Sequence, residues 1–251
     1  MQVRHVASIP AAAALLLQAA SPPPAVAQVK GEASVASPVE TIVRTHELLF
    51  ETAFDPGRFF AGERFGENMI TIVYWGDSES WPVYGLAIRQ GCLKHQPVTR
   101  DCHRRRTVRM VRAPAPPDQP RPRMRGFKLG MRMIQARATT REAVAAELER
   151  ASMEWLEADL ARCSAASAVV GDADKIIWVA EEIHAPKMET GVPAPPPFHA
   201  DSVEVTFRTS TGRSTYSGAI EKGSAAAWAT RLVEALEPCW HPAAAAPPWR
   251  R

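Results

Sequence analysis

Residues 141–163 constrain this chain more than any other stretch, because they combine a helix start signal, a helical apolar period and a cysteine at the far end. Thr139 stands three residues before Glu142, the spacing at which two side chains cap each other's backbone amides. At about 100° per residue, Val144, Leu148, Ala151 and Trp155 fall on one stripe. Leu156, Leu160 and Cys163 widen that stripe, and Glu147, Arg150, Glu154 and Glu157 occupy the other side. The pattern predicts one long amphipathic helix, packed on a core and tethered through Cys163.

The compartment follows from the first residues. Residues 1–27 read as a secretory signal peptide: Arg4 supplies the basic start, 11–17 an apolar run, and Ala25-Val26-Ala27 a small-residue cleavage site. The apolar run is too short for the roughly 30 Å of a bilayer core, so no transmembrane span is expected after processing. Cleavage leaves 224 of the 251 residues, and 46% of the chain is hydrophobic, enough for one sizeable domain. The expected location is periplasmic or secreted, where thiols oxidise.

Four cysteines, Cys92, Cys102, Cys163 and Cys239, permit three pairings. Cys92 with Cys102 closes a short polar loop, and Cys163 with Cys239 joins the ends of two amphipathic helices. Cys92, His95, Cys102 and His103 could together hold zinc, but their spacing matches no common finger pattern and export favours disulfides. No metal is expected.

Along the chain, 28–37 is a flexible lead, and 38–54 reads as a helix capped by Ser37 with Pro38 at its first position. Residues 69–75 and 81–89 are rich in β-branched and aromatic side chains and should pair as a hairpin. A short strand over 107–112 is followed by five prolines within 113–122, an extended surface segment. Alternation of Phe127, Leu129, Met131 and Met133 predicts a strand over 127–136. Residues 175–184 read as an interior strand, 186–197 as a proline-rich loop, and 202–209 with 214–220 as a second hairpin. The last helix runs from Ser224 to just before Pro238, and the alanine- and proline-rich tail 241–251 is expected to be disordered. The fold class is therefore α+β: an antiparallel sheet packed against about three helices in a single disulfide-bonded domain, 38–240.

The net charge of +3 is small but unevenly spread. Residues 100–137 carry eleven Arg and one Lys against Asp101 and Asp118, a local excess of +10 that leaves −7 for the rest. Arg104, Arg105, Arg109, Arg121, Arg123 and Arg125 are the candidate binding residues for an anionic envelope polymer, a lipid surface or an acidic protein. The competing reading is a solvated face paired with Glu147, Glu154 or Glu157. No aromatic side chains interleave these arginines, so nucleic acid is not an expected partner.

The chain contains no glycine-rich phosphate loop, nucleophile elbow or HExxH helix, and no cofactor is expected. Glu182 with His184, and His199 with Asp201, are pairs spaced by two that would share a strand face. If they converged, they could serve as acid/base groups or metal ligands of an exported hydrolase or metalloenzyme. The hydroxyls of Ser210, Thr211, Ser214 and Thr215 read as turn residues. The main expectation is a cell-envelope binding module, and the enzyme is its alternative.

Overall fold

In the computed structural model, residues 37–63, 67–76, 81–92, 104–113, 123–173, 201–208 and 212–251 are described. Seven strands form one sheet in the order β6-β5-β1-β2-β3-β4-β7. These are β1 (Glu67–Trp75), β2 (Pro82–Cys92), β3 (Arg104–Arg112), β4 (Glu154–Asp159), β5 (Ser202–Arg208), β6 (Arg213–Ala219) and the two-residue β7 (His241–Pro242). Every neighbouring pair is antiparallel. Five α-helices complete the described part: α1 (Pro38–Leu49), α2 (Arg123–Gln135), α3 (Arg141–Arg150), α4 (Ser164–Gly171) and α5 (Ala225–Leu236). This is the expected α+β architecture, with five described helices where about three were anticipated.

Strand alternation puts an apolar core on each side of the sheet. On the first face, Ile72, Leu86, Ile88, Met110 and Val205 pack against Trp228, Leu232 and Leu236 of α5 and Ala166 and Val170 of α4. Trp228 is fully buried, and its indole N–H donates to the Val169 carbonyl at 2.8 Å, so its one polar atom is satisfied inside the core. The expected bridge between Cys163 and Cys239 is present, with a Cα separation of 6.1 Å, and it ties the turn after β4 to the end of α5.

On the second face, Ala87, Val111 and Trp155 meet Leu49, Phe54, Phe59, Leu129, Met133, Val144 and Leu148. The start of α1 is as its sequence predicts. Ser37 accepts from the Glu40 amide at 3.2 Å, and the Glu40 carboxylate accepts from the Ser37 amide at 2.7 Å. The helix passes into a π-turn, Phe50–Phe54, whose backbone lies directly on β2. A Cβ on Gly85 would stand 2.4 Å from the Phe54 carbonyl oxygen, so only glycine admits this approach.

Four expectations are corrected. The helix predicted over 141–163 ends at Arg150. Ser152 adopts φ 52°, and 154–159 is β4, where Trp155 joins the second core and Ala158 the first. Pairing with β3 overrides the helical period, because it matches Arg112 with Glu154 and Arg109 with Glu157 across the ladder. The cap of α3 is Thr140, which accepts from the Ala143 amide at 3.2 Å, one residue later than expected. The strand expected over 127–136 is part of α2. Leu129 and Met133, four apart, face the core, and Gly126 and Gly130 let the helix lie against Trp81, where a Gly130 Cβ would stand 2.3 Å from the ring.

The tail, expected to be disordered over 241–251, is instead packed. β7 pairs with β4, Trp249 is buried, Trp155 donates to the Ala245 carbonyl at 2.8 Å, and Trp249 donates to Glu149 at 2.8 Å. Two indoles with satisfied N–H groups hold a segment that has no apolar period of its own. The described residues fall within one compact unit that runs from Ala36 to the end of the chain. The expected signal peptide, the lead up to residue 36, the expected Cys92–Cys102 bridge, the proline-rich run 114–122 and the strand and loop expected within 175–197 lie outside the described residues.

Candidate functional site

The second face of the sheet is covered unevenly. The π-turn, α2, α3 and the tail roof β2, β3 and β4, whereas over β1, β5 and β6 a groove of about 490 Å³ remains. Its floor comes from strand alternation. Thr71, Val73 and Trp75 of β1 lie beside Thr206, Glu204 and Ser202 of β5 in the ladder. On its other side β5 pairs Thr206 with Thr215, Glu204 with Ser217 and Arg208 with Arg213. The Thr206 and Thr215 hydroxyls are 2.9 Å apart, so three adjacent strands contribute a row of threonines.

One wall is built by the irregular segment after α1. Phe50, at the first position of the π-turn, leans on Trp75 with ring centroids 5.2 Å apart, and His46 stacks on the same indole at 5.7 Å. The turn Asp55-Pro56-Gly57 completes the wall, and the Asp55 carboxylate is fixed by accepting from the Gly57 amide at 2.8 Å. π-turns inserted into helices recur at functional sites because they re-aim side chains, and this one directs Phe50 to the groove and Phe54 to the core.

Charge is polarised along β5. Glu204 is half-buried near one end of the groove, while Arg208 and Arg213, both exposed, stand directly opposite one another at the other. Among the described residues, none of these three makes an ion pair or a side-chain hydrogen bond. Like charges directly opposite in a ladder are destabilising by a few tenths of a kcal/mol, up to about 1 kcal/mol. An anion between the two guanidiniums would reverse that sign.

The arginines singled out from the sequence sit elsewhere. Arg109 is buried on the second face of β3, donates to Glu157 at 2.7 Å and to the Phe59 carbonyl at 2.9 Å, and also contacts Glu63. Arg89 shares Glu63 at 3.1 Å, and the Phe60 ring lies 4.5 Å from the Arg109 guanidinium and 5.3 Å from that of Arg89. Burial draws Arg89 below the ordinary guanidinium range; Glu63 opposes this and Arg109 adds to it.

Arg105 stands 2.9 Å from Asp159, and its Nε is not aligned for a hydrogen bond, so that contact is Coulombic. Burial alone would lower Arg112, but its hydrogen bonds to Glu154 and Glu237 outweigh it and hold the group above its usual value. Arg132 pairs with Glu147 at 3.1 Å. Arg121 and the side chains of Arg104, Arg123 and Arg125 lie outside the described residues.

Of the candidate acid/base set, Glu182, His184 and His199 lie outside the described residues. Asp201 accepts a hydrogen bond from the Tyr74 hydroxyl. It precedes Val203 and Val205 on the strand face that packs under α5, opposite the groove. His95, Cys102, His103 and the Cys92 side chain are likewise outside, as are Ser210 and Thr211. Thr215, read from sequence as a turn hydroxyl, belongs to the threonine row. The signal for the groove was the recurrence of polar residues, Thr71, Glu204 and Thr206, at positions where a covered strand face carries apolar ones.

No family model, no curated protein and no solved structure matches this chain.

Proposed function

We propose that this chain is an exported binding module that holds a small anionic ligand in the groove over β1, β5 and β6. The observation that carries the reading is the Arg208–Arg213 pair, two like charges placed side by side at the groove with no ion-pair partner among the described residues. The groove lies within the usual 300–1,000 Å³ range of small-molecule sites, and it combines a flat apolar wall with a few polar groups, as such sites do. Export is supported by the leader-like first 27 residues together with the Cys163–Cys239 bridge.

An anionic partner was also the expectation for the arginine-rich segment. Arg105, Arg109, Arg112 and Arg132, however, each stand against a carboxylate of this chain, which favours a structural role for them. Arg208 and Arg213 inherit the anion-binding role.

The test is thermal unfolding of residues 28–251 with phenyl phosphate, benzoate or neutral benzyl alcohol. The two anions should raise the midpoint by about 2–4 °C for each 1 kcal/mol of linkage, and the alcohol should not. Arg208→Glu combined with Arg213→Glu should abolish the shift. An unchanged response in that double variant, or no response in the parent, overturns the reading.

A further inference from the structure

Resting on that reading, we infer that the groove's ligand is a short zwitterionic peptide of three to four residues with both termini free. Opposite charges are spaced along one strand face of the groove. Glu204 and Arg208 are four residues apart on β5, on the face that also carries Thr206, so their Cα atoms are about 13–14 Å apart at strand rise. An extended chain advances about 3.3–3.6 Å per residue, so three to four residues bridge the side chains that reach in from those two positions.

The charges are placed as a free peptide requires. Glu204 meets an ammonium group at one end. Arg208 and Arg213 together offer the planar donors that suit a carboxylate at the other. Between them the ligand must satisfy its own amides and carbonyls. The hydroxyls of Thr71, Thr206 and Thr215 lie in a row across three adjacent strands and can both donate and accept. At the Glu204 end, Trp75 of the floor and Phe50 of the wall provide an apolar surface for a side chain.

A ligand that is only anionic uses Arg208 and Arg213 and leaves Glu204 without a partner. A neutral sugar leaves the paired guanidiniums unexplained. The zwitterionic peptide is the ligand that uses both ends at this separation.

The test is isothermal titration of residues 28–251 with Ala-Phe-Ala carrying free termini, an acetylated N-terminus, an amidated C-terminus, or both caps. Each single cap should weaken binding at least about tenfold, the worth of a hydrogen bond to a charged group. Glu204→Gln should weaken the free peptide to the level of its acetylated form and make binding indifferent to acetylation. Arg213→Gln should do the same for amidation. Arg213 is exposed and makes no contact that folding needs, so the pair of variants does not depend on one of them folding, and circular dichroism checks both.

Equal affinity for free and acetylated peptide overturns the zwitterionic ligand. If benzoate still binds in the groove, the binding-site reading survives that failure. If neither the peptide nor benzoate binds, both fall together.

Discussion

Arg109 and Glu157 face each other across β3 and β4 and close a 2.7 Å hydrogen bond inside the second core. The guanidinium side chain is 6% exposed and its partner 14%, so neither can be hydrated in compensation if the other is removed. Glu157→Leu should therefore destabilise the domain by about 3 kcal/mol, and Arg109→Met combined with Glu157→Leu should recover most of that loss. Chemical denaturation of the two variants and the parent checks this. A loss below about 1 kcal/mol in the single variant would mean that Glu63 and the Phe59 carbonyl suffice to hold the charge.

Gly85 governs how closely the π-turn sits on the sheet. Gly85→Ala forces its new methyl against the Phe54 carbonyl, a rigid backbone atom, and should destabilise by about 1–3 kcal/mol while displacing Phe50 from the groove wall. Gly171→Ala, where a Cβ meets nothing within 4 Å, is the control and should be neutral or slightly stabilising. Thermal midpoints of the two variants decide the matter, and equal midpoints would contradict the close approach.

The Cys163–Cys239 bridge closes a loop with a sequence separation of 76. Replacing both cysteines by serine should remove about 4–5 kcal/mol on the chain-entropy model. Denaturant titration of the double variant measures it. A loss under about 1 kcal/mol would show that α4 and α5 hold the turn without a covalent tie.

Two ionisable groups give the stability a pH dependence at opposite ends of the scale. The hydrogen bond from Arg250, helped by that from Trp249, holds Glu149 below the ordinary carboxylate range although burial opposes it. A lowered folded value means that the tail's anchorage is present above the unfolded carboxylate value, near pH 4, and is lost as pH falls through the folded one. Hydrogen exchange of residues 243–251 should accelerate below about pH 4, and Glu149→Gln should remove that dependence.

Tyr84 is pushed up by burial and by the charge of Glu234. Its contribution is complete below the unfolded tyrosine value, and stability should fall as pH rises above about 10. Tyr84→Phe should flatten that alkaline slope in denaturation measured from pH 8 to 11.

The local devices were legible in the sequence. The Ser37 cap of α1, both hairpins, the stripe of α5 and the Cys163–Cys239 pairing follow from spacing and chemistry confined to one or two segments. Residues 127–136 read as a strand in the sequence because Leu129 and Met133 satisfy a period of two and a period near four equally well. The tie is broken by Gly126 and Gly130 lying on Trp81, a contact more than forty residues away in the chain. Residues 154–159 are drawn from helix to strand by Arg109 and Arg112 on β3, whose carboxylate partners no periodicity announces. The tail carries no apolar stripe and is held by single indoles and carbonyl groups. The groove was the least legible feature, since Thr71 meets Thr206 only through strand register across 135 positions.

The most direct test of the groove as the ligand site is an amide chemical-shift titration of uniformly labelled residues 28–251 with benzoate. The account predicts saturable shifts at Thr71, Thr206, Arg208, Arg213 and Thr215, with Arg105 and Arg106 of β3 unmoved. Shifts confined to the β3 arginines, or none along β1, β5 and β6 at saturating benzoate, would contradict it.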